Sequence, residues 1–266
     1  MHDLATVYRQ RALSLLISWL LLIASGTYPG VFAQNPTPRT PSETVREFYR
    51  AMREKRFREA FAMSIYKPAI EGLSAAEFED LRPDFEKMAA AVPEKVEISG
   101  EQIKGETATV FVKIADGDTA AQAEPVTLLR AGGAWIVGDR ENEKIVRASG
   151  KDFFFKARID THHSEVQSML QRISLAQLAY SSQHDGQYAD LQTLIKAGLI
   201  PKDIEGTETT GYRFHITLSR DGKSYRAGAE PAHYGRTGRL SFYLDPSGIR
   251  SGDVGGKPLI LPAGKN

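Results

Sequence analysis

His184-Asp185-Gly186-Gln187-Tyr188, followed by Leu191, Leu194 and Gly198-Leu199-Ile200-Pro201, sets the architecture of the C-terminal half. Upstream of it, Ile159, Val166, Met169, Leu170, Ile173, Ala176 and Tyr180 recur at helical spacing and predict one long amphipathic helix over Phe154–Ser182. Asp185-Gly186 stops that helix, because glycine accepts the left-handed backbone that closes a last turn. A short helix over Leu191–Ala197 follows and ends before Gly198 and Pro201. Three strands are then expected: Tyr212–Leu218, Tyr225–Pro231 and Leu240–Leu244. Asp221-Gly222 supplies a hairpin turn, and Asp245-Pro246-Ser247-Gly248 has the residues of a type I turn. The Gly/Pro-rich segment 252–266 reads as a loose tail.

The N-terminal half begins its folded part at residue 42, after a Pro/Thr linker over 34–41. Thr40 and Glu43 form a capping box, with Pro41 at the first helical position. Val45, Phe48, Tyr49 and Met52 then fall on one helical face. Arg53-Glu54-Lys55-Arg56 marks a break, and Phe57, Ala60 and Phe61 open a second short helix. A second capping box, Ser74 with Glu77, starts a helix carrying Phe78, Leu81, Phe85 and Met88. Pro83 is expected to kink or split it. From Lys95 the hydrophobic period becomes two: Val96 and Ile98, then Ala108, Val110, Val112 and Ile114. Val126–Arg130 and Ala134–Val137 read as a hairpin across Ala131-Gly132-Gly133. Helices followed by an antiparallel sheet, twice over, give an α+β chain. Its expected division is a domain over 42–141, a junction over 142–152 and a second domain over 153–251.

Residues 42–139 resemble the nuclear transport factor 2-like superfamily, especially its small bacterial extracellular members. The likeness is carried by Thr44-Val45-Arg46-Glu47-Phe48-Tyr49-Arg50-Ala51-Met52, by Phe57-x-x-Ala60 and by Gly133-Ala134-Trp135-Ile136-Val137. It implies a curved antiparallel sheet wrapped around helices as a cone. A cone filled by Val110, Val112, Leu128 and Trp135 would make the domain structural. An open one with a buried Asp or Glu facing a polar pocket would suit a hydrolase or isomerase. The second half resembles the globular head of type IV pilins and type II secretion pseudopilins. That likeness rests on the His184–Tyr188 run, Gly211-Tyr212-Arg213-Phe214, Tyr225 to Pro231 and Ser241 to Arg250. It implies a long helix against a small antiparallel sheet. The chain lacks the Gly-Phe-Thr-Leu-x-Glu start and continuous apolar stem of a prepilin, so filament assembly by that route is not implied. The calcium ligands of the major pseudopilins find no matching positions and are not carried over.

Near the N-terminus, Arg9 and Arg11 precede a nearly unbroken apolar run from Ala12 to Ala24. Val31 and Ala33 then fit a signal-peptidase site, so residues 1–33 read as a signal peptide and the chain as exported, periplasmic or extracellular. The apolar run is short for a membrane span of about 20 residues. Membrane contact is expected only if that segment is retained. Formal charge is +1, and without Arg9, Arg11 and Asp3 the remaining charges cancel, which gives no field to attract nucleic acid. The absence of cysteine excludes disulfides, thiolate nucleophiles and a lipoprotein anchor.

Few residues suggest chemistry. None of the six histidines falls between residues 3 and 161, so the first domain lacks the commonest acid–base group. Its candidate carboxylates are Asp80, Asp84, Asp116, Asp118 and Asp139, all read as turn or surface residues. Asp160-Thr161-His162-His163-Ser164-Glu165 is the most metal-like cluster. It has no third ligand at zinc-motif spacing and reads equally as a solvated helix face. His184 fits a helix C-terminus, and Ser181-Ser182 lacks a nucleophile elbow. Gly252-Asp253-Val254-Gly255-Gly256-Lys257 lacks the pattern of a phosphate loop. Tyr212, Phe214, Tyr225, Tyr234, Phe242 and Tyr243 form either a core or a surface for glycans or proteins. No catalytic residue, cofactor or metal ligand is assigned. The expected function is non-catalytic binding of a small ligand or a protein partner, such as an envelope or secretion-system component.

Overall fold

A computed structural model describes residues 38–114, 123–206 and 211–260. The segment read as a signal peptide, Asp116 and Asp118 lie outside the described residues. The chain divides into two compact units, Met1–Phe154 and Phe155–Asn266. The two sheets are antiparallel, four strands each, with sequential strand order.

In the first unit, helix α1 spans Pro41–Arg53. Its capping box forms as the sequence predicts: the Thr40 N–H donates to Glu43 Oε2 at 2.8 Å, and Thr40 Oγ1 accepts from the Glu43 N–H at 3.2 Å. Those bonds hold the Glu43 carboxyl below its usual range. Lys55 takes a left-handed conformation (φ 56°) and turns the chain into α2, Phe57–Ala62. Helix α3, Lys67–Glu71, is unannounced by the periodicity. Helix α4, Ala75–Ala90, runs through Pro83 without splitting. Pro83 lies on the exposed side of the helix, as does Glu79, whose carbonyl it leaves unpaired. Phe78, Leu81 and Phe85 face inward.

The first sheet comprises β1 Val96–Lys104, β2 Thr107–Ile114, β3 Ala123–Ala131 and β4 Ala134–Val137. The β3–β4 hairpin closes on Gly132 and Gly133 at φ 59° and 82°, the positive angles a two-residue type I′ turn needs. Val110, Val112, Val126 and Leu128 are fully buried. Helix α1 packs on β1, β2 and β4 with Val45, Phe48, Tyr49 and Met52 buried. Trp135 is only half-buried, with the Arg130 guanidinium 5.8 Å from its ring centre. Phe85 is the hub of an aromatic cluster, with ring centres of Phe57, Phe61, Phe78 and Phe154 at 5.7, 5.0, 5.4 and 5.0 Å. The segment read as a junction carries helix α5, Arg140–Ser149, and a 3-10 turn, Gly150–Asp152.

Helix α6 spans Phe153–Gln183, close to its expected limits. In the second unit Val166, Leu170, Ile173 and Ala176 join Tyr212, Tyr225, Ala227, Ala229, Phe242 and Leu244 in one core. Asp185 (φ 50°) and Gly186 (φ 78°) end the helix, and the His184 ring stacks on Tyr180 at 3.8 Å. Helix α7, Leu191–Lys196, is capped by Asp190, which accepts from the Thr193 N–H at 2.8 Å. The sheet is β5 Tyr212–Leu218, β6 Tyr225–Pro231, β7 Leu240–Asp245 and β8 Gly248–Asp253. The fourth strand revises the sequence reading. Pro246-Ser247 is a two-residue hairpin loop, and the strand after it pairs with β7 as far as Asp253, two residues into the tail expected to be loose from 252. No helix among the described residues is long and apolar enough to cross a membrane.

Candidate functional site

Strand alternation decides what the second sheet shows on each side. Tyr212, Phe214, Ile216 and Leu218 of β5 turn to the core with Tyr225, Ala227, Ala229, Phe242 and Leu244. The intervening residues form the opposite face. There the register places His215 opposite Gly228, Gly228 opposite Tyr243, and Tyr243 opposite Arg250. One row thus crosses all four strands. Gly228 leaves room for its neighbours: a Cβ at that position would come within 2.5 Å of His215 Cε1 and 3.2 Å of Glu230 Oε1.

Glu230 is only 7% exposed. Its Oε2 lies 3.3 Å from His215 Nδ1. The hydrogen bond to Glu230 raises the His215 pKa; burial opposes the shift and the carboxylate charge adds to it. Glu230 Oε1 is buried and has no hydrogen-bond partner. Ser241 Oγ, on the neighbouring strand, is buried and unpartnered as well. Two such groups on one face are unusual, since leaving a buried polar group unpaired costs about 1–3 kcal/mol.

Beside Glu230 opens a cleft of about 790 Å³. Its walls include His215, Arg226, Glu230, Tyr243 and Arg250, and an apolar margin of Pro258, Leu259 and Ile260. Leu259 folds back to the sheet, reaching 3.4 Å from where a Cβ on Gly252 would stand. At the far end Asp245 accepts from the Ser247 N–H at 2.8 Å and lies 3.5 Å from Arg250. Burial pushes the Asp245 carboxyl up, but the Ser247 bonds and Arg250 together hold it below its usual range.

The residues singled out in the sequence take other places. Asp139 caps α5, accepting from the Asn142 N–H at 2.8 Å, and Asp80 is exposed on α4. His162 and His163 do not lie on a solvated face. His162 Nδ1 sits 2.7 Å from the Thr237 carbonyl, and His163 Nε2 accepts from the N–H groups of Arg239 and Leu240 at 3.2 and 3.3 Å. No group of three or more His, Asp or Glu among the described residues is arranged to hold a metal. Most of the aromatics are core; Tyr243 stands on the outer face, and exposed Tyr234 donates to Asp253 at 2.8 Å. The cleft residues escape sequence reading because β-strand alternation presents His215 and Glu230 as ordinary outward polar positions. The one available signal is Glu230 itself, a carboxylate at the end of the small-residue run Ala227-Gly228-Ala229.

The His163 clasp predicts a pH dependence. Burial depresses its pKa; Asp160 opposes and His162 reinforces the shift. The unfolded chain, near pKa 6.5 for histidine, then binds more protons than the folded one. Stability from neutral His163 is complete above about pH 6.5 and is lost as pH falls from there through the lower folded value. His215, raised instead, contributes stability below about pH 6.5 that is lost as pH rises through its folded value. Thermal melts of the second unit at pH 7 and pH 5 should show that acidification costs the wild type more stability than His163→Gln. An equal change in both proteins would remove His163 from the explanation.

Comparison with known proteins finds no family model, no curated protein and no solved structure that matches the chain.

Proposed function

We propose that this chain is an exported, non-catalytic binding protein of the cell envelope, and that the cleft on the outer face of the second sheet receives its ligand. The single observation that carries this reading is the buried, unpartnered Glu230 Oε1 in the cleft wall. A carboxylate oxygen withdrawn from water and left without a donor is costly to the fold and useful to a ligand that brings one. The first unit is proposed to be a nuclear transport factor 2-like domain in a structural role. Its helices-then-meander order supports that plan, and the burial of Val110, Val112 and Leu128 beside α1 favours a filled interior over the cavity that a hydrolase or isomerase would use. The second unit is proposed to be a pilin-head-like module, supported by the long helix before a four-stranded meander. An envelope or secretion-system component remains the partner class proposed for a ligand that is part of a protein.

A stability measurement tests the site without knowing its ligand. Glu230→Met and Ser241→Ala should each melt at or above the wild-type temperature, because each removes an unpaired buried group. The half-exposed His215 left behind in Glu230→Met regains water. A drop of more than about 5 °C, equivalent to roughly 1 kcal/mol, in both variants would mark the two groups as structural and sink the binding site.

A further inference from the structure

We infer that the cleft is built for an acidic saccharide: a hydroxyl-bearing ring that carries a carboxylate. This rests on the proposed binding site and adds the chemistry of what fills it.

The polar groups of the cleft wall differ in kind. Glu230 Oε1 can only accept while ionised, so it calls for a ligand hydroxyl or N–H. The cationic side is supplied by Arg226, which has no hydrogen-bond or ion-pair partner among the described residues, and by Arg250 at the rim, shared with Asp245. A ligand cation is disfavoured. Glu230 Oε2 is already held by His215, and two guanidinium groups stand in the same wall. A fully deprotonated anion such as sulfate has no proton to give Glu230, and hydrogen phosphate, which has one, offers no apolar face to Tyr243. A neutral polyol satisfies Glu230 but leaves Arg226 idle. A hydroxylated ring with a carboxylate engages both, with the hydroxyl donating to Glu230 and the carboxylate accepting from Arg226 in the planar fork geometry that guanidinium favours. Tyr243 stands opposite Gly228, which is midway between Arg226 and Glu230 on β6, and its half-buried ring offers a surface to the apolar face of a sugar. The cleft volume, about 790 Å³, accommodates one or two such rings.

The test uses the full chain, isotopically labelled, titrated with D-glucuronate and separately with D-glucose while backbone amides are followed by NMR. Glucuronate should shift the amides around His215, Arg226, Gly228 and Tyr243 and bind about tenfold more tightly than glucose. Arg226→Ala should bring glucuronate affinity down to that of glucose. Glu230→Gln should weaken both sugars. Equal affinity for the two sugars, or shifts confined to residues outside the cleft, would overturn the inference. Absence of any shift would overturn it too. In that case the Glu230→Met and Ser241→Ala melts decide separately: if they remain at or above wild type, the binding site stands and only its ligand class is wrong.

Discussion

Phe85→Ala is expected to lower the melting midpoint of the first unit by roughly 15–25 °C, the largest effect of any single truncation in that unit. Phe85 is fully buried and touches four other aromatic rings, drawn from α2, α4 and the start of α6. Removing it takes away the transfer energy of a phenyl group and leaves a void that its rigid neighbours cannot close. Phe→Ala changes at such sites cost about 3–5 kcal/mol. Edge-on and tilted ring pairs add a smaller increment, about 0.5–1.5 kcal/mol per pair and not additive. Phe85→Leu, which keeps most of the volume, should recover more than half of the loss. Near-ultraviolet circular dichroism during heating reports the transition. A midpoint within about 5 °C of wild type for Phe85→Ala would show that the cluster does not hold the unit together.

In the second unit the corresponding change is Gln177→Leu. Gln177 is fully buried on α6. Its side-chain amide bonds both polar groups of one peptide residue: Nε2 donates to the Ala189 carbonyl at 2.6 Å and Oε1 accepts from the Ala189 N–H at 3.0 Å. Ala189 is itself buried and has no water to turn to. Leucine matches the shape but orphans two backbone groups at about 1–3 kcal/mol each, so a loss of roughly 2–5 kcal/mol is expected. Gln177→Glu should be at least as harmful, because it turns a carboxylate oxygen toward the Ala189 carbonyl in a dry setting. Denaturant unfolding gives the energy, and hydrogen exchange localises it: the Ala189 amide should lose protection before the strands do. Protection unchanged at Ala189 would mean another group replaces the bond.

These two residues also show how far the sequence could be read. Phe85 announced itself through spacing with Phe78 and Leu81 after the Ser74 capping box, because burial of a helix face repeats in a regular period. Capping boxes at Thr40 and Ser74, the Gly132-Gly133 turn and the limits of α6 were legible for the same reason: each is a local rule with a local cause. Gln177 was hidden. It occupies the stripe between Ile173, Ala176 and Tyr180, and only its polarity in an apolar run hints that something across the fold answers it. Strand β8 was missed because Gly248, Ser251 and Gly252 have low strand propensity; pairing with β7 overrides it. The cleft left a single trace in the sequence, Glu230 after Ala227-Gly228-Ala229. It depends on which outward polar residues of four strands are brought side by side, and on Leu259 returning to the sheet.

The meander order of both sheets carries a consequence for how the chain reaches its native state. Within each sheet every strand after the first pairs with the one before it, and β1–β2, β3–β4 and β7–β8 close over loops of two residues. Such contacts have short sequence separation, so little loop entropy is lost before pairing begins. Each hairpin can form as soon as its second strand is available, without waiting for distant segments. A chain delivered N-terminus first can therefore complete one unit while the other is still being delivered. The transient exposure of unpaired edges, the usual route to aggregation for sheet proteins, is brief at every stage.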